Sequence, residues 1–182
     1  MTQGAKIVKG RLFRQLRSFI LPVTMVLVIP FLLTVDFSHW RAERSLSLPL
    51  LQIPLSAFLF CSGLLLLIWT VRLFIVLGRG TLAPWDPTQA LVIRGPYAHV
   101  RNPMISGVLF MILAEAILLG SWKLLCWFAF FGLANAIYLR LSEEPGLVKR
   151  FGDRYTVYRA NVPMWIPRLR PWDPRTRAAR ES

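Results

Sequence analysis

From Ser45 to Val71 the chain runs for 27 residues without a charged side chain. A helix of that length, rising about 1.5 Å per residue, crosses a hydrocarbon layer of about 30 Å with some tilt. Ser18 to Val35, Ile105 to Leu119 and Leu124 to Leu139 are further apolar runs of the same kind. In hydrocarbon, a spanning segment must satisfy its own backbone hydrogen bonds. The expected fold is therefore all-α and integral to a membrane, with about four transmembrane helices. Composition agrees, because 55% hydrophobic residues and a mean hydropathy of +0.50 in 182 residues exclude an ordinary soluble domain.

The charges then suggest an orientation. The formal net charge is +13, but the cations flank the apolar runs and form no single patch: Lys6, Lys9, Arg11, Arg14 and Arg17 precede the first, and Arg72, Arg79, Arg94 and Arg101 lie between the second and third. That distribution argues for positive-inside flanks and against a nucleic-acid partner, with both termini cytoplasmic in a bacterial inner membrane. The first run is too long for a signal-peptide core and no small-residue cleavage pattern follows it at Asp36 to Trp40, so it is expected to be an anchor, kinked at Pro22 and Pro30. Cys61 and Cys126 sit in apolar runs and behave as small hydrophobes.

Between the two hydrophobic halves lies the polar stretch Leu91 to Met104, with a turn signal at Gly95-Pro96 and the sequence Arg101-Asn102-Pro103 opening the third span. After the fourth span comes Arg140-Leu141-Ser142-Glu143-Glu144-Pro145-Gly146, with Pro145 expected to bias Glu144 away from helical dihedrals. Leu147, Phe151, Tyr155, Tyr158 and Val162 then recur at helical spacing, which predicts a C-terminal cytoplasmic amphipathic helix. Residues 162 to 171, with Pro163, Pro167 and Pro171, should be extended and interfacial, ahead of a flexible tail.

Familiar catalytic patterns are missing. Gly78-x-Gly80 follows a membrane helix and has no third glycine, His39 and His99 form no metal cluster, and no serine carries a nucleophile signature. What remains is a polar loop, a pair of carboxylates and a helix.

Those two polar blocks carry a resemblance. Leu91-Val92-x-x-Gly95-Pro96-Tyr97-x-x-Val100-Arg101-Asn102-Pro103, then Glu143-Glu144-Pro145-x-Leu147-x-x-x-Phe151-Gly152-x-x-Tyr155-x-x-Tyr158 and Val162-Pro163-x-Trp165, are similar to the isoprenylcysteine carboxyl methyltransferase and phospholipid methyltransferase superfamily. The resemblance covers roughly residues 78 to 168. It implies an S-adenosyl-L-methionine-dependent methyltransferase acting on a membrane-embedded or lipidated substrate, with carboxyl O-methylation favoured over N-methylation. It further implies cofactor contacts at Gln89, Ala90, Leu91, Val92, Tyr97, Asn102, Pro103, Met104, Ile105 and Glu143, no metal, and Arg140 on the acceptor side. On this view one membrane domain spans residues 1–182: a two-helix part over 1–77, the cofactor-binding part over 78–168 and a tail over 169–182. Asn102 and Ile105 stand where the better-known eukaryotic members carry histidine and tyrosine. A non-catalytic scaffold or accessory protein that keeps the fold, or a phospholipid N-methyltransferase, are therefore the alternatives.

The residues themselves allow this chemistry. A sulfonium cofactor with an ammonium, a carboxylate and an adenine needs anions, a cation and an apolar or aromatic slot. Glu143 and Glu144 supply the first, Arg101 or Arg140 the second and Tyr97 the third. Adjacent helical residues point about 100° apart, so Glu143 is expected to anchor the cofactor while Glu144 and Arg140 serve the acceptor. The plainer reading pairs Glu143 and Glu144 with Arg140 in solvent. Glu115, in mid-span, is expected to take a structural hydrogen bond from a serine, a threonine or Asn135.

Overall fold

The computed structural model describes residues 23–35, 49–78 and 90–173, and every regular element among them is helical. Four apolar helices make the bundle: α1 (Thr24–Thr34), α2 (Leu50–Gly78), α3 (Pro103–Leu119) and α4 (Trp122–Phe151). A 3-10 turn, Gly95–Ala98, precedes α3, and α5 (Asp153–Asn161) follows α4. The expected start of the first span near Ser18 with its basic flank, Arg79 and Gln89 in the loop, and tail residues 174–182 lie outside the described residues. Among the described helices α2 and α4 are each long and apolar enough to cross a membrane, while α1 and the 17-residue α3 are shorter. Leu50, Phe58, Leu65 and Val76 on α2 and Phe130 and Leu133 on α4 are largely uncovered, a surface matched to hydrocarbon and not to water.

The tightest contact in the bundle is between α2 and α3. A Cβ at Gly63 would stand 2.6 Å from the Gly107 carbonyl oxygen, and one at Gly107 would stand 2.8 Å from that of Gly63. Two backbones this close leave no room for a side chain, and in lipid such close approach supplies the packing that the hydrophobic effect does not. Around the crossing, Val26, Val108, Met111 and Ile112 form a core flanked by Phe60, Leu67, Trp127 and Phe131. Gln52 on α2 donates to the Ile117 and Leu118 carbonyls, capping the open end of α3. The tight hairpin expected after it is present, with Gly120 left-handed at φ 60° and the Ser121 N–H on the Ala116 carbonyl at 3.1 Å.

α2 continues past Arg72 through a π-helical turn, Phe74–Gly78. Other boundaries differ from the sequence reading. α4 begins at Trp122 and does not end at Leu139: a π-helical turn, Leu139–Glu143, carries it on to Phe151, and Glu144 is helical at φ −60°, ψ −44°. Pro145 breaks nothing there, because it falls in the first turn after the π turn, where its missing N–H costs least. The expected amphipathic helix is instead divided at Gly152, whose φ of 57° and ψ of −136° end α4 and start α5. Another π-helical turn, Thr24–Val28, lies directly before Pro30 in α1. Asn135 donates to the Phe131 carbonyl at 2.8 Å and not to Glu115, whose buried Oε2 has no partner among the described residues.

The glycine crossing can be tested against an internal control. Gly63→Ala and Gly107→Ala are each expected to destabilise the detergent-solubilised protein by roughly 1–3 kcal/mol, the cost of overpacking. Gly132→Ala should be near neutral, since its Cβ would meet Leu109 Cδ2 at 3.5 Å, an ordinary contact. Equal thermal unfolding midpoints for all three variants would rule out the crossing as the packing constraint.

Candidate functional site

Below the bundle the chain builds a second, smaller core. Tyr155 and Tyr158 of α5, with Val162, are buried against Leu91, Ile93, Leu147, Phe151 and Trp172. The predicted stripe thus survives the break at Gly152, as Tyr155, Tyr158 and Val162 all face the polar loop. The segment after α5 was expected to be extended; it has no regular structure and bends repeatedly, and it is pinned to that loop by backbone hydrogen bonds. The Arg101 N–H donates to the Pro163 carbonyl at 2.9 Å, that of Arg168 to His99 at 3.0 Å and that of Trp172 to Ala98 at 2.9 Å. His99 Nδ1 completes the strap on the Arg168 carbonyl at 2.7 Å.

The 3-10 turn is held from the other side. Gly95 has φ 59° and lies so close to α2 that a Cβ there would meet Leu73 Cδ1 at 3.1 Å and Trp69 Cζ2 at 3.2 Å. Tyr97, buried, packs its ring on Phe74 with centroids 5.4 Å apart, and its carbonyl accepts the Tyr158 hydroxyl at 2.7 Å. α5 is therefore bonded directly to the turn that precedes α3.

The electrostatic centre of this region is Glu144. Its carboxylate is 12% exposed, and Oε1 takes a hydrogen-bonded ion pair from Arg101 while Oε2 meets Arg159 at 3.4 Å. A carboxylate this buried would be costly without partners, and here it has two cations. Arg101 also lies close to the Tyr155 phenol, and its buried Nε has no partner among the described residues. Glu143, the adjacent residue, is exposed, as is Arg140. Burial pushes the Tyr97 phenol well above its ordinary value, with Tyr158 and Glu143 acting in the same direction. Tyr158 is likewise raised by burial, then by Tyr155, with Arg101 opposing.

The two sequence blocks thus meet in space. Tyr97 and Arg101 from the loop and Glu143 and Glu144 from α4 share one region, joined by Tyr155 and Tyr158. Asn102 is the residue before α3, its carbonyl accepting the Ser106 hydroxyl at 3.0 Å, and Pro103 is buried in the first turn ahead of half-buried Met104 and Ile105. Ala90, Leu91 and Val92 run along the outer side of the second core, and Leu91 and Val92 line a cavity of ≈ 690 Å³ that none of Tyr97, Arg101, Asn102 or Glu143 lines. Gln89 lies outside the described residues. Sequence reasoning missed Arg159, which carries no local signal, and the Tyr158 bond to Tyr97, which the stripe could have suggested. The plainer reading, with Glu143 and Glu144 paired to Arg140 in solvent, does not hold for Glu144, which reaches inward to Arg101 and Arg159.

These features define a helical membrane protein with a charged site where its loop and last helices converge. The family model for phospholipid methyltransferases matches residues 51–154, which include both polar blocks. The chain belongs to that family. It is 30% identical over 165 residues to a methanethiol S-methyltransferase of Pseudomonas deceptionensis, covering 84% of this chain and 59% of that one. It is 36% identical over 76 residues to methanethiol S-methyltransferase 2 of Bradyrhizobium diazoefficiens, covering 40% of this chain and 27% of the relative. This chain therefore spans well under two thirds of the length of the curated relatives it matches. No solved structure matches it.

Two measurements check the site. Glu144→Gln should cost roughly 3–5 kcal/mol of stability, as removing one partner of a buried ion pair does, whereas Arg159→Gln, whose side chain is 48% exposed, should cost about 0–1 kcal/mol. Similar unfolding midpoints for the two variants would deny Glu144 its central place. The raised phenols give a pH dependence of definite sign: folding favours the protonated form, so the stability they contribute is complete below about pH 10 and is lost as pH rises beyond it. In an alkaline absorbance titration these tyrosines should ionise together with unfolding; ionisation near pH 10 in folded protein would contradict their burial.

Proposed function

We propose that the protein is an S-adenosyl-L-methionine-dependent methyltransferase of the membrane, with four spans and both termini cytoplasmic, whose acceptor reaches the site from the bilayer. The observation that carries this reading is the meeting of the Tyr97 to Ile105 loop with Glu143 through the Glu144–Arg101 pair, in a chain of the phospholipid methyltransferase family. The residues present suit the cofactor. Arg101 offers a buried Nε with no partner among the described residues, suited to a carboxylate; Glu143 offers an anion beside Tyr97; Leu91 and Val92 offer apolar surface for a ring. When bound, the cofactor supplies an electrophilic methyl group whose sulfonium loses its charge on transfer.

The protein's own contribution is alignment and exclusion of water, for which effective molarity can supply about 7–11 kcal/mol. Tyr97, Asn102, Pro103, Met104 and Ile105 would wall the cofactor, held in place by the bonds to α5 and to Pro163. Glu144, with an arginine on each oxygen, is a brace between the loop and α5 and is poorly placed to serve as a dedicated base. His99 is committed at Nδ1 to the Arg168 carbonyl. A site equipped in this way favours an acceptor that is nucleophilic once ionised, over an amine that must first be deprotonated by a dedicated base. A carboxylate fits, with Arg140 as its cation on the acceptor side. A thiolate is the second reading, favoured by the names of the two relatives.

Calorimetry on chelator-treated protein should show S-adenosyl-L-methionine binding, and Glu143→Gln should weaken it by roughly tenfold to a hundredfold, the loss of one charged hydrogen bond. Arg140→Gln should keep the affinity and lose turnover. Heat indistinguishable from buffer with folded protein would leave the non-catalytic reading in its place. Methylation of an aminolipid, with none of a prenylcysteine or a small thiol, would overturn the acceptor assignment.

A further inference from the structure

A second cavity, of ≈ 500 Å³, opens between the helices of the bundle. Val26 and Leu27 of α1, Leu64, Ile68 and Val71 of α2 and Met111 of α3 line it, and Arg72 is the one charged residue at its wall. It shares no lining residue with the cavity beside Leu91 and Val92, and none of the residues assigned to the cofactor or the acceptor borders it. Val26 and Met111 of the bundle core form its floor, whereas Leu27, Leu64 and Ile68 are 55%, 37% and 43% exposed, so it opens sideways toward the bilayer. The gap is built into α1. Val26 and Leu27 fall in the π-helical turn Thr24–Val28, and the Met25 carbonyl of that turn accepts the Trp127 indole N–H at 3.3 Å. This bond ties α1 to α4 and leaves it standing off α2. In hydrocarbon such a gap takes up hydrocarbon, because an empty one forfeits contacts on every wall.

The dimensions and the charge indicate which molecule fits. From Phe60 to Val71 the α2 wall is about 16 Å long at about 1.5 Å per residue, which is about half of a hydrocarbon layer of about 30 Å and so the depth of one leaflet. Arg72 stands at one end of this wall, on the side of the membrane where the charged site lies, since the next residue, Leu73, is against Gly95. It is exposed and makes no hydrogen bond or ion pair among the described residues. A cation at the end of a one-leaflet apolar slot complements a lipid whose headgroup carries a single negative charge. We propose that this cavity is a site for an anionic phospholipid of the surrounding leaflet, one acyl chain lying between α1 and α2 and its phosphate paired with Arg72. The lipid is a bound partner and not a methyl acceptor, so the site stands whatever the acceptor is.

The test is lipid retention by the full chain purified in neutral detergent, read by native mass spectrometry with phosphatidylglycerol and phosphatidylcholine added as probes. One phosphatidylglycerol should be retained in preference to phosphatidylcholine. Arg72→Gln should cut that preference by roughly tenfold, as expected for losing a charged hydrogen bond, and Arg72→Lys should keep most of it. Leu64→Trp and Ile68→Trp fill the cavity at positions already open to lipid, and each should remove retention of either phospholipid. Leu133→Trp, on α4 and 64% exposed outside the cavity, should change nothing. The proposal is overturned by an unchanged preference in Arg72→Gln, by a loss in Arg72→Lys as large as in Arg72→Gln, by full retention in both α2 tryptophan variants, or by an equal loss in Leu133→Trp. It is also overturned if inorganic phosphate displaces the lipid, which would leave the chain without a role, or if S-adenosyl-L-methionine or a prenylcysteine does so, which would give the cavity to the cofactor or the acceptor.

Discussion

The burial of Glu144 is the constraint on which the polar end of the molecule depends. A carboxylate placed among tyrosines at the edge of a hydrophobic bundle loses most of its hydration, and attraction to Arg101 and Arg159 offsets that cost only if both arrive from their own segments. Arg101 comes from the loop that opens α3, Arg159 from α5, and Glu144 itself from the extension of α4. One desolvated charge therefore requires three separately folded stretches to be in place together. The tyrosine bond to the Tyr97 carbonyl and the strap from Pro163 to Trp172 lie over the same junction, so the loop is held by groups that depend on one another.

Within the bundle the logic is different, because little hydrophobic drive acts between helices surrounded by hydrocarbon. There the close approach of Gly63 and Gly107 lets dispersion contacts along α2 and α3 accumulate, and the larger side chains of α1 and α4 fill around it. The two halves of the molecule are thus held by unlike forces. They meet where Gly95 packs against Trp69 and Leu73 near the end of α2.

How much of this could be read beforehand depended on the range of the signal. Runs such as Ser45 to Val71 exposed the helical membrane class, because hydropathy is a local property of a segment. The two polar blocks and their family likeness were legible for the same reason. What escaped was set by contacts between distant segments. Nothing around Arg159 announces a partner at Glu144, and nothing near Gly63 announces Gly107. The end of α4 was missed because a π turn, Leu139–Glu143, carries the helix past an expected stop, and such a turn leaves no compositional trace. Pro145 suggested a break through its steric rule, and the widened turn before it removed the conflict.

The π turn at Leu139–Glu143 also matters for how the family's sequences can change. A π turn holds one more residue than the α-helical turn it replaces, and each residue advances the helix by about 100°. α4 is consequently two helices in angular phase with two different environments, the lipid-facing stretch above the turn and the charged junction below it. The turn works as a phase adjuster: a single-residue deletion inside it would leave the upper face undisturbed while swinging Glu144 away from Arg101. Gaps falling between the lipid-facing stretch of α4 and the carboxylate pair are therefore changes of azimuth for the site, and they carry far more consequence than their length suggests.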